Sequence, residues 1–590
     1  MKRTVVFVAL LVATAGLGAA LRLPGLDRRP MHVDEAVHAA KFDALWQTGV
    51  YAYDLNEYHG PTLYYATLPA AWLSEARRLC ETDAAMFRVV PVIFGVGLIL
   101  LLGLVGDGLG RSAAIIAGVL TAVSPAMVYY SRYYIQETLL VFFTFAVIAA
   151  VWRAKNGVTK LPWAVLAGAA VGLMHATKET CVIAWGCMFA AVVVATLAAR
   201  RTPLPSRSPR ATRGGVEGLG EGRSGVQGRA AEAGPAPHPT PSPQGRGVGG
   251  RQLLSSVHGA AVLAGVVAVI VVSVVLFSGF GTNPAGPPDS IRAFATYFQR
   301  AGEGGAHEHP WHYYLHILLW WRHGAGPVWT EALIVALAGV GIVAAATGHG
   351  VRAMNLTFVR FLAVYTLLMF LIYSAIPYKT PWCILSALHG MIVLAGVGAA
   401  TLLRGVRVLA ARCKAEPRTA RSARMPVLTA VLVAAVLLAG TVQLGWQAQR
   451  SISPRFDASH YNPCAYSYTV RDVERLAAQL DELAALHPAG RQMLIKVIVP
   501  NPWPLPWYLR CFEQVGYWES VPDDPDADVI LVSHTLQPEL DPHRRDEYQV
   551  SLRGLRRDEV LYVYVRPPLW EAYVARQRGA DAPANPPSPP

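Results

Sequence analysis

Long apolar stretches alternate with shorter polar segments through most of residues 1–450. Eleven stretches come close to the roughly 20 residues that a helix needs to cross a bilayer. The predicted spans are residues 4–21, 89–106, 112–130, 138–152, 161–177, 180–199, 253–278, 326–346, 356–376, 382–403 and 426–447. The pattern therefore predicts a polytopic α-helical membrane protein with about 11 transmembrane helices.

The pattern changes after residue 447. Residues 470–486 have the periodicity of an amphipathic helix, and residues 493–499, 529–533 and 560–565 have the character of strands. These elements predict a small α/β domain at residues 448–578, followed by a disordered tail at residues 579–590.

A low-complexity segment separates the sixth predicted span from the seventh. Residues 201–252 are rich in Pro, Gly, Ser and Arg and contain few apolar residues. Such a segment buries too little apolar surface to offset its chain entropy. We expect a disordered cytoplasmic linker between an N-terminal membrane part, residues 1–200, and a C-terminal membrane part, residues 253–447.

The composition agrees with a membrane protein. Hydrophobic residues make up 53% of the chain and charged residues 15%, whereas soluble domains carry about 25% charged residues. The net charge of +13 arises mostly at one set of helix ends, so insertion topology and anionic lipid explain it without a nucleic-acid partner.

The basic residues also predict the orientation. They lie at alternate ends of the spans, which favours a cytoplasmic N-terminus in the cell (inner) membrane. The loop at residues 22–88 and the C-terminal domain are then external, or extracytoplasmic. A cleavable signal peptide at residues 1–21 is an alternative, and it leads to the same location for the loop.

Seven cysteines occur without CxxC or Cys/His spacing, so neither a zinc site nor a disulfide framework is indicated. Cys464 and Cys511 fall in the predicted external C-terminal region, where they are able to pair if the compartment is oxidising. The sequence leaves a disulfide between them and two free thiols equally open.

Two adjacent carboxylates, Asp34 and Glu35, follow the first span by about a dozen residues. Carboxylates at a membrane surface are able to accept a proton from a nucleophile or to bind a divalent cation. The alternative is that they are ordinary acidic residues at a helix N-terminus, where the helix dipole favours them.

A tyrosine-rich turn joins the third and fourth spans, at residues 129–137. The planar guanidinium of Arg132 suits a phosphate, and the ring of Tyr133 is able to stack on a sugar. An interfacial aromatic belt accounts equally well for the tyrosines. It does not account for Arg132 together with Glu137.

Two further turns carry cations on the predicted external side: Lys178 with Glu179, and Tyr378 with Lys379. A lysine in so short an external loop departs from the positive-inside rule. We therefore expect Lys178 to have an anionic partner, namely Glu179, Glu137 or a lipid phosphate. Contact with lipid headgroups is the simpler alternative for each lysine.

Histidines supply weaker candidates. His59, beside Glu57 in the loop at residues 22–88, is a candidate to lie near the carboxylates, although a structural role is the commoner one for a lone histidine. The loop at residues 279–324 lacks a HExxH or facial-triad pattern, so a gating loop is favoured over a metal site. Its candidates for metal ligation are Glu303, His307, Glu308, His309 and His312.

All these ionisable residues fall at one end of the predicted bundle, and the centres of the spans carry no comparable charge. Ionisable residues gathered in this way are more often part of a functional site than of the helix packing. We therefore expect acids from the first loop and cations from three later turns to converge in one pocket at the external face.

The ordered set of motifs resembles the membrane glycosyltransferases of the GT-C class. The acidic pair in the first external loop is similar to that of protein O-mannosyltransferases and aminoarabinose transferases (glycosyltransferase family 39). The full set is most similar to the flippase-activity-associated proteins of archaea and some bacteria, and it covers most of residues 1–450 outside the linker. The motifs are Asp34-Glu-Ala36, Tyr58-His-Gly-Pro61, Ser131-Arg-Tyr-Tyr134, Thr177-Lys-Glu179 and Pro377-Tyr-Lys-Thr-Pro-Trp382.

This resemblance implies a sugar donor carried on a polyprenyl phosphate and a single displacement that inverts the anomeric carbon. It implies that Asp34 is the base or acceptor-orienting carboxylate and Glu35 a second carboxylate. Arg132, Lys178 and Lys379 would stabilise the departing phosphate. Metal use varies within the class, so a divalent cation is a possible cofactor.

Two other functions fit parts of the pattern. A lipid or glycolipid flippase would also use many helices and cationic turns, but transporters commonly show internal repeats and charges near the bilayer midplane, and neither is evident here. A non-catalytic subunit of an envelope-glycan assembly system would use the C-terminal domain as its docking surface.

Overall fold

The structure is a computed structural model that describes residues 2–55, 59–157, 159–201, 248–301, 307–351, 353–415 and 420–580. Most of the predicted linker, residues 202–247, and of the predicted tail, residues 581–590, lies outside the described residues. The first ten helices are α1 (Lys2–Arg22), α2 (Val33–Thr48), α3 (Thr62–Leu73), α4 (Ala84–Leu101), α5 (Gly106–Leu109), α6 (Arg111–Val123), α7 (Pro125–Tyr130), α8 (Glu137–Asn156), α9 (Leu161–His175) and α10 (Cys181–Arg201).

The remaining elements form the second membrane part and the C-terminal domain. The membrane part contains α11 (Val248–Phe277), α12 (Gly286–Ala301), α13 (Tyr313–Leu319), α14 (Ala332–Thr347), α15 (Leu356–Ala375), α16 (Leu385–Ala415) and α17 (Ala420–Ser451). The C-terminal domain contains α18 (Asp472–Ala484), β1 (Ile495–Ile498), α19 (Leu505–Tyr508), β2 (Val515–Trp518), β3 (Val529–Ser533), α20 (Gln537–Arg544), β4 (Gln549–Arg556), β5 (Glu559–Val565) and α21 (Pro567–Ala580).

Within the described residues, 8 helical stretches are long and apolar enough to cross a membrane. Shorter apolar helices, α6, α9 and α14, occupy the three other predicted spans. Each predicted span therefore contains an apolar helix and the protein is an integral membrane protein, whereas the number of 11 complete crossings stays a prediction.

Two predicted spans begin or end differently in the structure. The span at residues 112–130 is interrupted at Ser124, whose hydroxyl caps α7 by accepting from the backbone N–H of Met127 at 3.3 Å. Pro125 lacks the N–H that a continuous helix requires, so it begins a new helix. The span at residues 326–346 becomes helical only at Ala332, because Trp321 and Trp329 first pair through reciprocal 2.9 Å backbone hydrogen bonds.

The helix α16 lies at the centre of the bundle. Its hydrophobic window is 94% buried inside the protein, the largest share among the apolar stretches of the described residues. Close packing against α14 depends on Gly341, where an added Cβ would come 2.2 Å from the carbonyl oxygen of Leu394. Small residues at such contacts let membrane helices approach closely.

Hydrogen bonds join the polar turns predicted to carry function at one end of the bundle. This end, called the site end below, receives the loop after α1, the turns after α7, α9 and α15, and the chain after α17. The arrangement places the first loop, residues 23–83, beside the C-terminal domain.

The C-terminal domain is built on a five-stranded sheet with strand order β2-β1-β3-β5-β4. β1 is parallel to β2 and β3, whereas β5 is antiparallel to β3 and β4. α18 packs an apolar face on this sheet, in agreement with the helix and the three strands predicted. The prediction missed β2 and β4, the two edge strands, since half-buried edge strands show weak alternation.

Candidate active site

The acidic pair opens α2. His32 is the N-cap residue: its Nδ1 accepts from the backbone N–H of Asp34 at 3.1 Å, and the carboxylate of Glu35 accepts from the backbone N–H of His32 at 3.1 Å. This reciprocal capping satisfies two N–H groups that the helix itself leaves unpaired. Because consecutive residues point in different directions around a helix, the two carboxylates enter different surroundings.

Glu35 is completely buried between two arginines. Arg88 donates to both carboxylate oxygens at 2.8 Å, Arg29 donates to one of them at 2.9 Å, and the backbone N–H of Tyr134 donates at 2.9 Å. Burial alone would raise the pKa of Glu35, but the two arginines lower it well below its ordinary value. We call Arg29, Glu35 and Arg88 the paired cluster.

The tyrosine-rich turn packs around this cluster. Arg132 donates to the backbone carbonyl oxygens of Arg22, Pro24 and Gly25, with the last two at 2.8 Å. Burial lowers the pKa of Arg132 to about 10. The ring of Tyr133 lies 3.6 Å beneath the guanidinium of Arg29. The structure thus uses the donors of Arg132 to hold the chain that follows α1.

Lys178 is buried and forms an ion pair with Glu137, one of the three anionic partners expected for it. Burial alone would lower the pKa of Lys178, but the attraction of Glu137 raises it above its ordinary value. The charge of this lysine is therefore neutralised within the protein.

Glu179 takes a different partner. Its Oε1 accepts from the backbone N–H of His59 at 2.9 Å, and its Oε2 lies 3.3 Å from Nδ1 of the same histidine. The first loop approaches this turn so closely that a Cβ on Gly60 would come 2.1 Å from the carbonyl oxygen of Ala176. The residues around His59 therefore fasten the first loop to the turn after α9, while Glu57 lies outside the described residues.

Asp34 differs from its neighbour because its side chain is 42% exposed. It has no cationic partner from lysine or arginine among the described residues, and the ring of His32, 3.9 Å away, has a pKa lowered chiefly by burial. Burial lowers the pKa of His307 and raises that of Tyr378, and the nearby charge of Asp34 favours the protonated form of both side chains.

Lys379 lies in the turn after α15 and is 1% exposed. Its Nζ donates to the carbonyl oxygens of His309 at 2.9 Å and Ile376 at 2.5 Å, and no carboxylate pairs with it in the part of the chain that the structure describes. Burial lowers its pKa. A buried ammonium without a counter-ion is costly, so this position favours an anionic ligand.

Tyr466 joins the loop before α13 to the acidic helix. Its hydroxyl lies 2.8 Å from Nδ1 of His307 and 3.2 Å from Nε2 of His309, and its carbonyl oxygen accepts from Nε2 of His32 at 3.1 Å. Burial lowers the pKa of both His307 and His309 and so favours the neutral form of each ring. The sequence had offered no signal for Tyr466, which lies in an irregular segment.

Backbone pairing brings the same loop against the lysine turn. The N–H of Lys379 donates to the carbonyl oxygen of His307 at 2.9 Å, and the N–H of His309 donates to that of Pro377 at 3.2 Å. The rings of His307 and Tyr378 meet at 5.0 Å between centroids, and burial raises the pKa of Tyr378 to about 12. We call Asp34, His307, His309, Tyr378, Lys379 and Tyr466 the unpaired site.

No three side chains of His, Cys, Asp or Glu come close enough to hold a metal ion within the described residues. His307 and His309 contact tyrosines instead. The divalent cation that the carboxylates suggested stays a prediction.

The disulfide forms between other cysteines than those considered from the sequence. Cys511 pairs with Cys80 of the first loop, while Cys464 is buried as a free thiol. The Cys464–Cys511 disulfide, which the sequence left open, is not formed in the structure. Cys464 lies next to α7, where its carbonyl oxygen accepts from the hydroxyl of Tyr130 at 2.9 Å. Cys511 follows α19, which packs against α2 of the first loop.

The expected convergence is thus met in part. Asp34 lies near Tyr378, and Lys379 is joined by a backbone hydrogen bond to the loop that carries His307. Glu35 belongs to the paired cluster, and Arg132 lies beside that cluster. The functional neighbours that sequence reasoning missed, Arg29 and Arg88, are ordinary basic residues in the sequence. Of the two, only Arg88 offered a signal, because it is a charged residue directly before the predicted span at residues 89–106.

Comparisons with known proteins agree with this architecture. Residues 70–210 match the sequence model of a family described as dolichyl-phosphate-mannose-protein mannosyltransferase. No curated protein matches the chain.

Two solved structures share the fold. ArnT from Cupriavidus metallidurans bound to undecaprenyl phosphate is 15% identical, with a TM-score of 0.55 over 95% of this chain and 98% of that one. The archaeal oligosaccharyltransferase AglB from Archaeoglobus fulgidus, in complex with an inhibitory peptide and a dolichol-phosphate, is 11% identical, with a TM-score of 0.52 over 96% of this chain and 77% of that one. The predicted GT-C fold class is confirmed, and the finer resemblance to flippase-activity-associated proteins stays a prediction.

Proposed function

We propose that the protein is a GT-C glycosyltransferase that moves a sugar from a polyprenyl-phosphate donor to an acceptor at the external face of the inner membrane. The observation that carries this proposal is the unpaired site. It combines an accessible carboxylate, Asp34, with a buried ammonium, Lys379. Among the described residues no lysine or arginine pairs with Asp34, and no carboxylate pairs with Lys379.

The comparisons support this chemistry. The matching family is described by a dolichyl-phosphate-linked mannose donor, and the two similar structures hold undecaprenyl phosphate and dolichol-phosphate. The Cys80–Cys511 disulfide supports an external location of the site end, since disulfides persist in oxidising compartments. The sugar and the acceptor, whether glycan, lipid or protein, are left open by this proposal.

The reaction is a displacement at the anomeric carbon. Asp34 accepts the proton of the acceptor nucleophile as the nucleophile forms its bond to that carbon. The bond between the carbon and the phosphate oxygen breaks, and its electron pair stays on the phosphate. Lys379 stabilises the negative charge that grows there, and the attack from the opposite side inverts the configuration.

The other predicted residues have positioning roles in this proposal. Glu35 holds the start of α2 through Arg29 and Arg88, so we assign it no proton transfer. Lys178 is neutralised by Glu137, which leaves Lys379 as the principal cation for the phosphate.

The direct test is Asp34→Asn in the full-length protein, reconstituted in vesicles with polyprenyl-phosphate sugars extracted from a deletion strain. We expect turnover to fall by about 100-fold or more, because the general base is lost. Asp43→Asn is the matched control on the same helix, where the carboxylate only accepts from Gln47 at 3.2 Å.

Full turnover in Asp34→Asn would refute the role of this carboxylate. Movement of the lipid headgroup across the vesicle membrane without cleavage of the sugar–phosphate bond would favour the flippase alternative instead. Mass spectrometry of the lipids that accumulate in the deletion strain identifies the donor.

A further inference from the structure

The C-terminal domain holds the peptide group at Met31, which is buried directly before the cap of α2. The backbone N–H of Met31 donates to the hydroxyl of Tyr508 at 2.9 Å. The hydroxyl of Thr469 donates to the carbonyl oxygen of Met31 at 2.8 Å. Both polar groups of this residue are therefore satisfied by side chains from more than 430 residues further along the chain.

The position of Met31 determines where α2 begins. Met31 is followed by His32, whose ring and backbone make the reciprocal capping contacts with Asp34 and Glu35. A displacement of the Met31 peptide is therefore passed to the first turn of the helix. Asp34 lies only three residues away, and its half-exposed side chain is held by no lysine or arginine among the described residues.

Further contacts hold the first loop on both sides of α2. Arg510 donates to the carbonyl oxygens of Leu79 at 3.1 Å and Thr82 at 2.8 Å, next to the Cys80–Cys511 disulfide. On the other side Arg471 donates to the carbonyl oxygen of Arg28 at 2.8 Å. The C-terminal domain thus contacts the first loop at two places, residues 28–31 and residues 79–82.

We propose that the C-terminal domain is a brace that positions Asp34, with Tyr508 and Thr469 as the positioning residues at its tip. This inference rests on the proposed function, because it concerns the carboxylate assigned there as the base. Tyr508 and Thr469 contact the backbone of Met31 and act on the reaction only through the placement of α2. The alternative roles for the domain are a docking surface and a purely stabilising appendage.

The test removes one hydroxyl at a time from the full-length protein, with Tyr508→Phe and Thr469→Val. Each change keeps the shape of the side chain and leaves one polar group of Met31 without its partner. Tyr548→Phe is the matched control: the Tyr548 hydroxyl lies within the same domain, 2.5 Å from a carboxylate oxygen of Asp526 and 2.9 Å from the carbonyl oxygen of Ala527.

Hydrogen exchange is the first readout, because it does not depend on turnover. In Tyr508→Phe we expect amide exchange in a peptide covering residues 28–38 to rise by about tenfold, the factor that corresponds to one lost hydrogen bond. Peptides from the membrane helices and from the sheet should exchange as in the wild type. Tyr548→Phe should leave the peptide at residues 28–38 unchanged.

Steady-state kinetics is the second readout. We expect kcat to fall by about 10- to 100-fold in Tyr508→Phe, since a misplacement of a catalytic group by about 1 Å costs that much. The KM for the donor should stay within about twofold, because Lys379 and its partners are untouched. A general loss of folded protein would lower the amount of active enzyme in every assay equally. It would also raise amide exchange throughout the protein, not only at residues 28–38.

The outcomes separate the two proposals. Unchanged exchange at residues 28–38 in both variants overturns the brace, whatever the activity of the wild type. Raised local exchange with wild-type kcat also overturns it, because Asp34 would then not depend on the contact. If Asp34→Asn retains full turnover, the proposed role of Asp34 fails. Exchange at residues 28–38 that still rises in Tyr508→Phe would then show that the domain holds this segment even though Asp34 is not the base.

Discussion

The paired cluster and the unpaired site both begin on the first turn of α2, yet they treat their charges differently. In the paired cluster the carboxylate of Glu35 has lost all contact with solvent and accepts from two arginines. In the unpaired site the carboxylate of Asp34 is 42% exposed and lies 3.9 Å from the ring of His32, whose pKa burial lowers. Two adjacent acidic residues of the same chemistry thus serve stability in one case and remain available for a ligand in the other.

The two lysine turns show the same contrast. Lys178 has an ion pair with Glu137, whereas Lys379 donates only to backbone carbonyl oxygens in the described residues. Both turns are short and both follow an apolar helix, so their sequences suggest equivalent roles. The difference teaches that a cation is available to an anionic ligand only where the fold supplies no carboxylate.

The largest effect is expected when the paired cluster is broken. Glu35→Gln leaves Arg29 and Arg88 buried without their anion, which should cost about 3–5 kcal/mol of folding stability. Asp34→Asn, the corresponding change one residue earlier, should alter stability by no more than about 0.5 kcal/mol, because that side chain is half-exposed and has no lysine or arginine partner among the described residues. Thermal unfolding of the two detergent-solubilised variants measures the contrast.

Equal stability of these two variants would contradict the comparison. It would mean that the arginines around Glu35 are satisfied by the backbone alone, as Arg132 is. Glu35→Asp serves as a control, since it keeps the charge and changes only the reach of the side chain.

A smaller effect is expected on ligand binding when the cation of the unpaired site is removed. Lys379→Gln should weaken the binding of undecaprenyl phosphate by about 10- to 100-fold, the range for one hydrogen bond to a charged group. The control is the double variant Lys178→Gln with Glu137→Gln, which removes an ion pair without leaving a buried charge. We expect it to bind the lipid nearly as the wild type does.

Native mass spectrometry of the full-length protein with undecaprenyl phosphate measures both affinities. A loss in the double variant as large as that in Lys379→Gln would show that the phosphate lies at the turn after α9. That result would reverse the roles assigned to the two lysines.

The membrane fold was predictable because the bilayer constrains the sequence so strongly. A helix in lipid must satisfy its backbone internally, so each of the apolar segments could be located from composition alone. The interruption at Ser124 was also visible in principle, since Pro125 marks a helix start. The edge strands β2 and β4 were missed, because half-buried strands lack a regular alternation.

The residues of the site were only partly predictable, for a different reason. Asp34 and Lys379 stand out as charges at the ends of apolar helices. Their neighbours Glu35 and Lys178 look equally suited to a ligand, and the partners that neutralise them are far away in the sequence: Arg88 is 53 residues from Glu35, and Glu137 is 41 residues from Lys178. The Cys80–Cys511 disulfide, with a separation of 431 residues, likewise follows from the docking of α19 and from no local pattern.

The smallest expected effect distinguishes the two regions by pH. Burial lowers the pKa of His307 and His309 below the ordinary value of 6.5, so the unfolded chain binds protons that the folded site does not. Their contribution to stability is present above pH 6.5 and is lost as the pH falls below it. For Glu35 the pKa is lowered from 4.5, so its contribution is lost only below pH 4.5.

Apparent melting temperatures between pH 7.5 and pH 5 measure this difference. We expect the wild type to lose stability gradually over this interval and a variant with His307→Gln and His309→Gln to lose less of it. Glu35→Gln should keep the slope of the wild type there, because Glu35 remains ionised throughout the interval. Two results would contradict this account of the pH dependence. One is a slope of melting temperature against pH that stays unchanged when both histidines are removed, and the other is a slope that flattens in Glu35→Gln.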